Sequence, residues 1–126
     1  LCASLGAVAA PAKKAAEKDS LEPARAALRT LQYAKAIDLL NTASSSGNAN
    51  AQYLLALIYL NGVGTPADPV RARPLLQSAA EHDNAAAAFV LAAELTREPG
   101  NTGQTAQQWL ERSAQLGYVR AQDALK

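Results

Sequence analysis

Apolar residues in the middle of the chain recur at helical spacing. Between Ala49 and Asn61 they fall at Ala51, Leu54, Leu55, Ile58 and Tyr59, with Leu57 and Leu60 widening the arc. A helix apolar around so much of its circumference needs partners on two sides, as a stacked helix has. Polar punctuation separates such segments. Asn48 and Asn84 stand where a side-chain oxygen can accept from the free N–H groups of a first helical turn. Asp68 followed by Pro69 is a clearer start, because proline at the first helical position gives up an N–H that has no partner there. Gly62 and Gly64 supply turn conformations between two helices, and Gly47 and Gly117 end helices. The pattern predicts helices over 21–30, 32–44, 49–61, 69–81, 85–97, 105–115 and 119–125. Pro74 sits one turn inside the fourth, where a bend is expected in place of a break.

These segments repeat. Ala36, Ala72 and Ala106 open matching blocks, Ala36-Ile37-Asp38-Leu39-Leu40, Ala72-Arg73-Pro74-Leu75-Leu76 and Ala106-Gln107-Gln108-Trp109-Leu110, separated by 36 and 34 residues. Further on, Gly47-Asn48-Ala49-Asn50-Ala51-Gln52 is answered by Asp83-Asn84-Ala85-Ala86-Ala87-Ala88 and by Gly117-Tyr118-Val119-Arg120-Ala121-Gln122. A fixed period in this range signals stacked supersecondary units. The expected fold is all-α, about seven helices arranged as antiparallel pairs in a short solenoid.

The blocks resemble the Sel1-like repeat family, a relative of the tetratricopeptide repeats. The resemblance rests on Ala51-Gln52-Tyr53, Leu55-Ala56, Tyr59, Gly62-Val63-Gly64, Asp68, Arg71-Ala72 and Ala79-Ala80, all in register. A second copy, Asn84 to Ala114, is degenerate, with Leu95 for the tyrosine and Glu98 for the first loop glycine, yet Trp109 keeps the aromatic position. A third begins at Tyr118. Upstream, Glu17 to Asn50 has tetratricopeptide length, although Pro23 falls where a packing leucine is usual. The resemblance implies a right-handed α/α superhelix with repeat-like units near 17–47, 48–83, 84–117 and 118–126. It also implies a bacterial protein of the envelope or outside the cell.

Composition narrows the core and the chemistry. Nearly half of the 126 residues are apolar but alanine dominates, with one Trp, one Phe and four Tyr. Such a core is thin and built from close helix contacts. A formal net charge of +1, with both signs dispersed, excludes the basic stripe of a nucleic-acid-binding surface. No apolar run approaches the roughly 20 residues of a membrane span. Residues 1–10 are uncharged, and Ala7-Val8-Ala9 fits a small-x-small cleavage pattern before Pro11 and the Lys13-Lys14 pair, so a secretory leader remnant and a periplasmic or secreted location are expected. Residues 11–19 are expected to be flexible, and the repeat domain to span 20–126. A lipid anchor on Cys2 is disfavoured, since Leu1 is too large for the residue before a lipidated cysteine.

An active site is hard to assemble. His82 is the only histidine and Cys2 the only cysteine, too few for a Cys/His zinc set, and neither a Ser-His-Asp triad nor a Cys-His pair is expected. His82 is expected to cap a helix end. Glu81 with Asp83, and Glu94 with Glu98, read as solvated surface neighbours. Gly62-Val63-Gly64 lacks the following Lys-Ser/Thr of a phosphate loop, and Trp109 reads as a wedge between repeats. No enzyme, cofactor or metal is expected.

Function is then expected on the surface made by successive first helices. With Ala51, Leu55, Ala56 and Tyr59 as the packed stripe, the open face carries Asn50, Leu54, Ile58 and Asn61. Ala86, Val90, Glu94 and Arg97 follow in the next repeat, then Arg120. Apolar centres ringed by polar residues suit a peptide or helix of another envelope or secreted protein. Leu54, Ile58 and Val90 fit packing between helices equally well. Two other functions compete: binding of cell-wall fragments or β-lactams, as proposed for cysteine-rich relatives, and self-association into a homodimer through the terminal helix.

Overall fold

A computed structural model describes residues 21–98 and 104–126. The expectations for residues 1–10 and 11–19, Cys2 included, lie outside the described residues. Among the described residues seven helices follow one another: α1 (Glu22–Arg29), α2 (Tyr33–Ser45), α3 (Ala49–Asn61), α4 (Pro69–Glu81), α5 (Ala85–Arg97), α6 (Gln104–Gln115) and α7 (Val119–Ala124). Each bound lies within one residue of the prediction, because the start and stop signals are local chemistry. Asn48, Asp68 and Asn84 accept the backbone N–H groups of Ala51, Arg71 and Ala87 at 3.1, 3.1 and 2.9 Å. Helix α4 runs unbroken through Pro74.

One junction recurs between second and first helices. The second residue after α2, α4 and α6 takes positive φ, at Gly47 (89°), Asp83 (66°) and Gly117 (94°). In all three the next amide turns back to the carbonyl five residues earlier: Asn48 to Ala43, Asn84 to Ala79 and Tyr118 to Ser113, at 3.0–3.1 Å. This is a Schellman closure, and the residue that completes it is already the N-cap of the next helix. Leu31 closes α1 the same way at φ 61°, with Gln32 N–H on Ala27 O at 2.8 Å. Two helices are thereby joined through a single left-handed residue, which fixes the angle from repeat to repeat.

Every helix packs on its neighbours in sequence, giving a stack of antiparallel pairs, an α/α solenoid. Alanines occupy the closest approaches: Ala36 and Ala72 are fully buried and Ala106 nearly so. Between them Leu40, Leu55, Leu76 and Leu91 form a ladder at the repeat period. Small residues let the helix axes come together, and each leucine fills the space left between them. Trp109 packs against the core while half-buried, as a wedge must. Pro23 lies exposed in the first turn of α1, whose packing falls to Leu21, Ala24 and Ala27.

Polar stitches join the repeats. Asn84 caps α5 with its oxygen and donates Nδ2–H to Asn50 Oδ1 at 3.0 Å, 34 residues away. Ser113 is buried and donates to Ala85 O at 2.7 Å, and Arg112 reaches Asp83 at 2.5 Å. Gln52 and Gln122, in equivalent positions, donate to the carbonyls of Ser44 and Ala114. Among the described residues no helix is long and apolar enough to cross a membrane.

Candidate functional site

The first helices α3, α5 and α7 stand side by side through the solenoid. Along α3 the residues facing outward are Asn50, Tyr53, Leu54, Leu57 and Asn61. Ile58 is not among them: it is only 4% exposed and belongs to the core. Of the four α3 positions assigned to the face from the sequence, Asn50, Leu54 and Asn61 lie on it and Ile58 does not, Leu57 facing outward in its stead. The cause is the apolar character of α3 around nearly its whole circumference, which leaves no polar side to point outward. Its counterpart Glu94 is drawn in as well, its side chain 17% exposed, and is held by Arg97 at 3.0 Å. Leu54 and Val90 are half-buried against the core, while Asn61 and Arg97 are exposed. Ala51, Leu55, Ala56, Tyr59 and Ala72 are buried, and Gly62 (φ 68°) and Gly64 (φ 72°) turn the chain from α3 to Asp68.

At the centre of the face is an aromatic group that the sequence reading did not assemble. Phe89 on α5 stacks on Tyr118, the N-cap residue of α7, with ring centroids 5.2 Å apart and planes 20° from parallel. Arg120 lies over the same Phe89 ring, its guanidinium carbon 5.5 Å from the ring centre. Tyr53 on α3 adjoins them. Burial pushes its phenol above the ordinary value; nearby Tyr118 adds to the rise and Arg120 opposes it. The spacing held a signal: Tyr53 and Phe89 are 36 residues apart, one repeat, so aromatics at one register position predict adjacent rings. Tyr118 joins them from a capping position, which periodicity alone does not reveal.

The candidate chemical groups are each engaged structurally. His82 Nδ1 lies 2.7 Å from Ser78 O, so that nitrogen carries a proton and donates to the end of α4. Glu98 pairs with Arg73 and Glu94 with Arg97, so these carboxylates are neutralised ion-pair members and not simply solvated neighbours. Among the described residues no group of three or more His, Cys, Asp or Glu is placed to hold a metal ion.

Stacked antiparallel helix pairs with a side formed by successive first helices define the class of α-solenoid repeat proteins. The Sel1 repeat family model matches residues 49–84 and 85–118, and the chain belongs to that family. Its repeats generally mediate protein–protein interaction and typically serve as non-catalytic scaffolds. No match to a curated protein or to a solved structure is found for the chain.

Proposed function

We propose that this protein is an interaction scaffold that holds a peptide or helix of a partner protein across the first-helix face. The observation that carries the reading is the group Tyr53, Phe89, Tyr118 and Arg120. Three half-buried rings and an exposed cation from three successive first-helix segments meet there. Aromatic and arginine side chains give large contact area with little entropy to lose, which is why they anchor protein interfaces. Asn61 and Arg97 supply a polar rim. A leader-like Ala7-Val8-Ala9 supports an exported scaffold, whose partner would then be another envelope or secreted protein.

A peptide selected by display against the intact chain tests the reading. Tyr53→Ala and Arg120→Glu should each weaken its binding about tenfold or more, as truncation of an interface anchor does, with the thermal transition of each variant recorded alongside. Undiminished binding by both folded variants removes the face as the site.

A further inference from the structure

The opposite side of the solenoid, made by second helices, holds a different kind of site. A cavity of about 470 Å³ opens between α2 and α4, with α3 beneath it. Its floor is apolar, formed by Leu55 and the ring of Tyr59, both buried. Its rim is polar: Asn41, Ser44 and Ser45 come from the end of α2, Thr65 from the α3–α4 turn, and Arg71 from the first turn of α4.

Arg71 sets the chemistry. Arg29, Arg73, Arg97 and Arg112 each pair with a carboxylate. Arg71 has no carboxylate at ion-pair distance among the described residues. Its guanidinium is instead held over the Tyr59 ring, 5.2 Å from the centroid. Contact with a ring face leaves the fork of N–H donors unused, and that fork matches the two oxygens of a carboxylate. Facing it across the cavity, serine, threonine and asparagine side chains offer further hydrogen bonds. The volume falls within the range of small-ligand sites, roughly 300–1,000 Å³.

We propose that this cavity binds a carboxylate, with Arg71 as the anion's anchor, Tyr59 as the fixed platform under Arg71, and Ser44, Ser45 and Thr65 as hydroxyl partners. The carboxylate arrives either on a small organic acid or on an acidic side chain of a bound peptide. Neither source involves the aromatic group on the first-helix face, so this site stands or falls separately from that one.

Amide-resolved NMR titration of the full chain decides the matter. The probes are succinate and the blocked tripeptide Ala-Glu-Ala, each against its neutral counterpart, succinamide and blocked Ala-Gln-Ala. Binding at the cavity predicts saturable shifts at the amides of Ser44, Ser45 and Thr65 with at least one acidic probe. The neutral counterparts should bind tenfold or more weakly. Arg71→Gln should lower affinity for the acidic probe by a similar factor, and Arg120→Gln should leave it unchanged. Whichever acidic probe binds more tightly identifies the source. No saturable shift with either acid, an equal response to the neutral probes, or full affinity in Arg71→Gln overturns the proposal.

Discussion

Tyr53 illustrates how a single side chain takes its properties from neighbours that are far away in sequence. Burial disfavours its phenolate, so the folded chain keeps that proton to higher pH than the unfolded chain does. Stability linked to this group is intact below the ordinary tyrosine value of 10.0 and is lost as the pH rises past it. The part of the tyrosinate absorbance titration that disappears in Tyr53→Phe should therefore have its midpoint above 10.0; a midpoint at or below that value contradicts the packing described. Gly64 is a second residue decided by context. It takes φ 72°, and a Cβ there would sit 2.2 Å from Tyr33 Cβ, at the start of α2. Gly64→Ala should cost about 2–4 kcal/mol, combining backbone strain with overpacking. Chemical denaturation would measure it, and a loss below 1 kcal/mol would mean that the turn moves freely away from α2. The need for glycine in the α3–α4 turn was legible in the sequence. Its contact with Tyr33 was not, because 31 residues of chain separate them.

At the scale of the element, the helices were readable because their ends are written in local chemistry. Asparagine, aspartate-proline and glycine act within a turn of where they stand, and the observed bounds follow them. Asn84 does more than its local signal promised, since it also donates to Asn50 across the repeat junction. Asn84→Ala should destabilise the protein by about 1–2 kcal/mol, the upper part of the range for a lost cap. Asn50→Ala should cost less, because the cap itself survives. Denaturation midpoints of the two variants compare them directly, and an equal or larger loss at Asn50 would reverse the assignment. Which way a helix faces was far less readable. Helix α3 carries apolar residues nearly all round, so Ile58 and Leu57 were interchangeable on paper. Neighbouring α2 and α4 resolve the choice by covering Leu55 and Tyr59, which takes Ile58 inward with them.

The whole molecule is held together by nearest neighbours. Each helix contacts those before and after it, so local stability should follow the number of helices on which a helix leans. Helices α3, α4 and α5 share the continuous leucine core, whereas α1 packs chiefly on α2. Amide hydrogen exchange should accordingly be slowest in α3 to α5 and faster in α1. Uniform protection from α1 to α5 would show instead one cooperative block. The two proposed sites also belong to this scale. The aromatic group needs three first-helix segments side by side, and the Arg71 cavity needs two second helices set apart over α3.

By itself, the order of residues determined the helical class, the repeat period and almost every helix boundary, since caps, glycines and a recurring alanine register act over a few bonds. The chain's single histidine and single cysteine also fall short of a Cys/His zinc set. Only the tertiary structure decided which side of α3 meets water, which rings touch and which arginines lie over a ring instead of beside a carboxylate. Those outcomes depend on residues one repeat or more apart, brought together by a stacking angle that is set at the left-handed junction residues and shared out among all the contacts between helices.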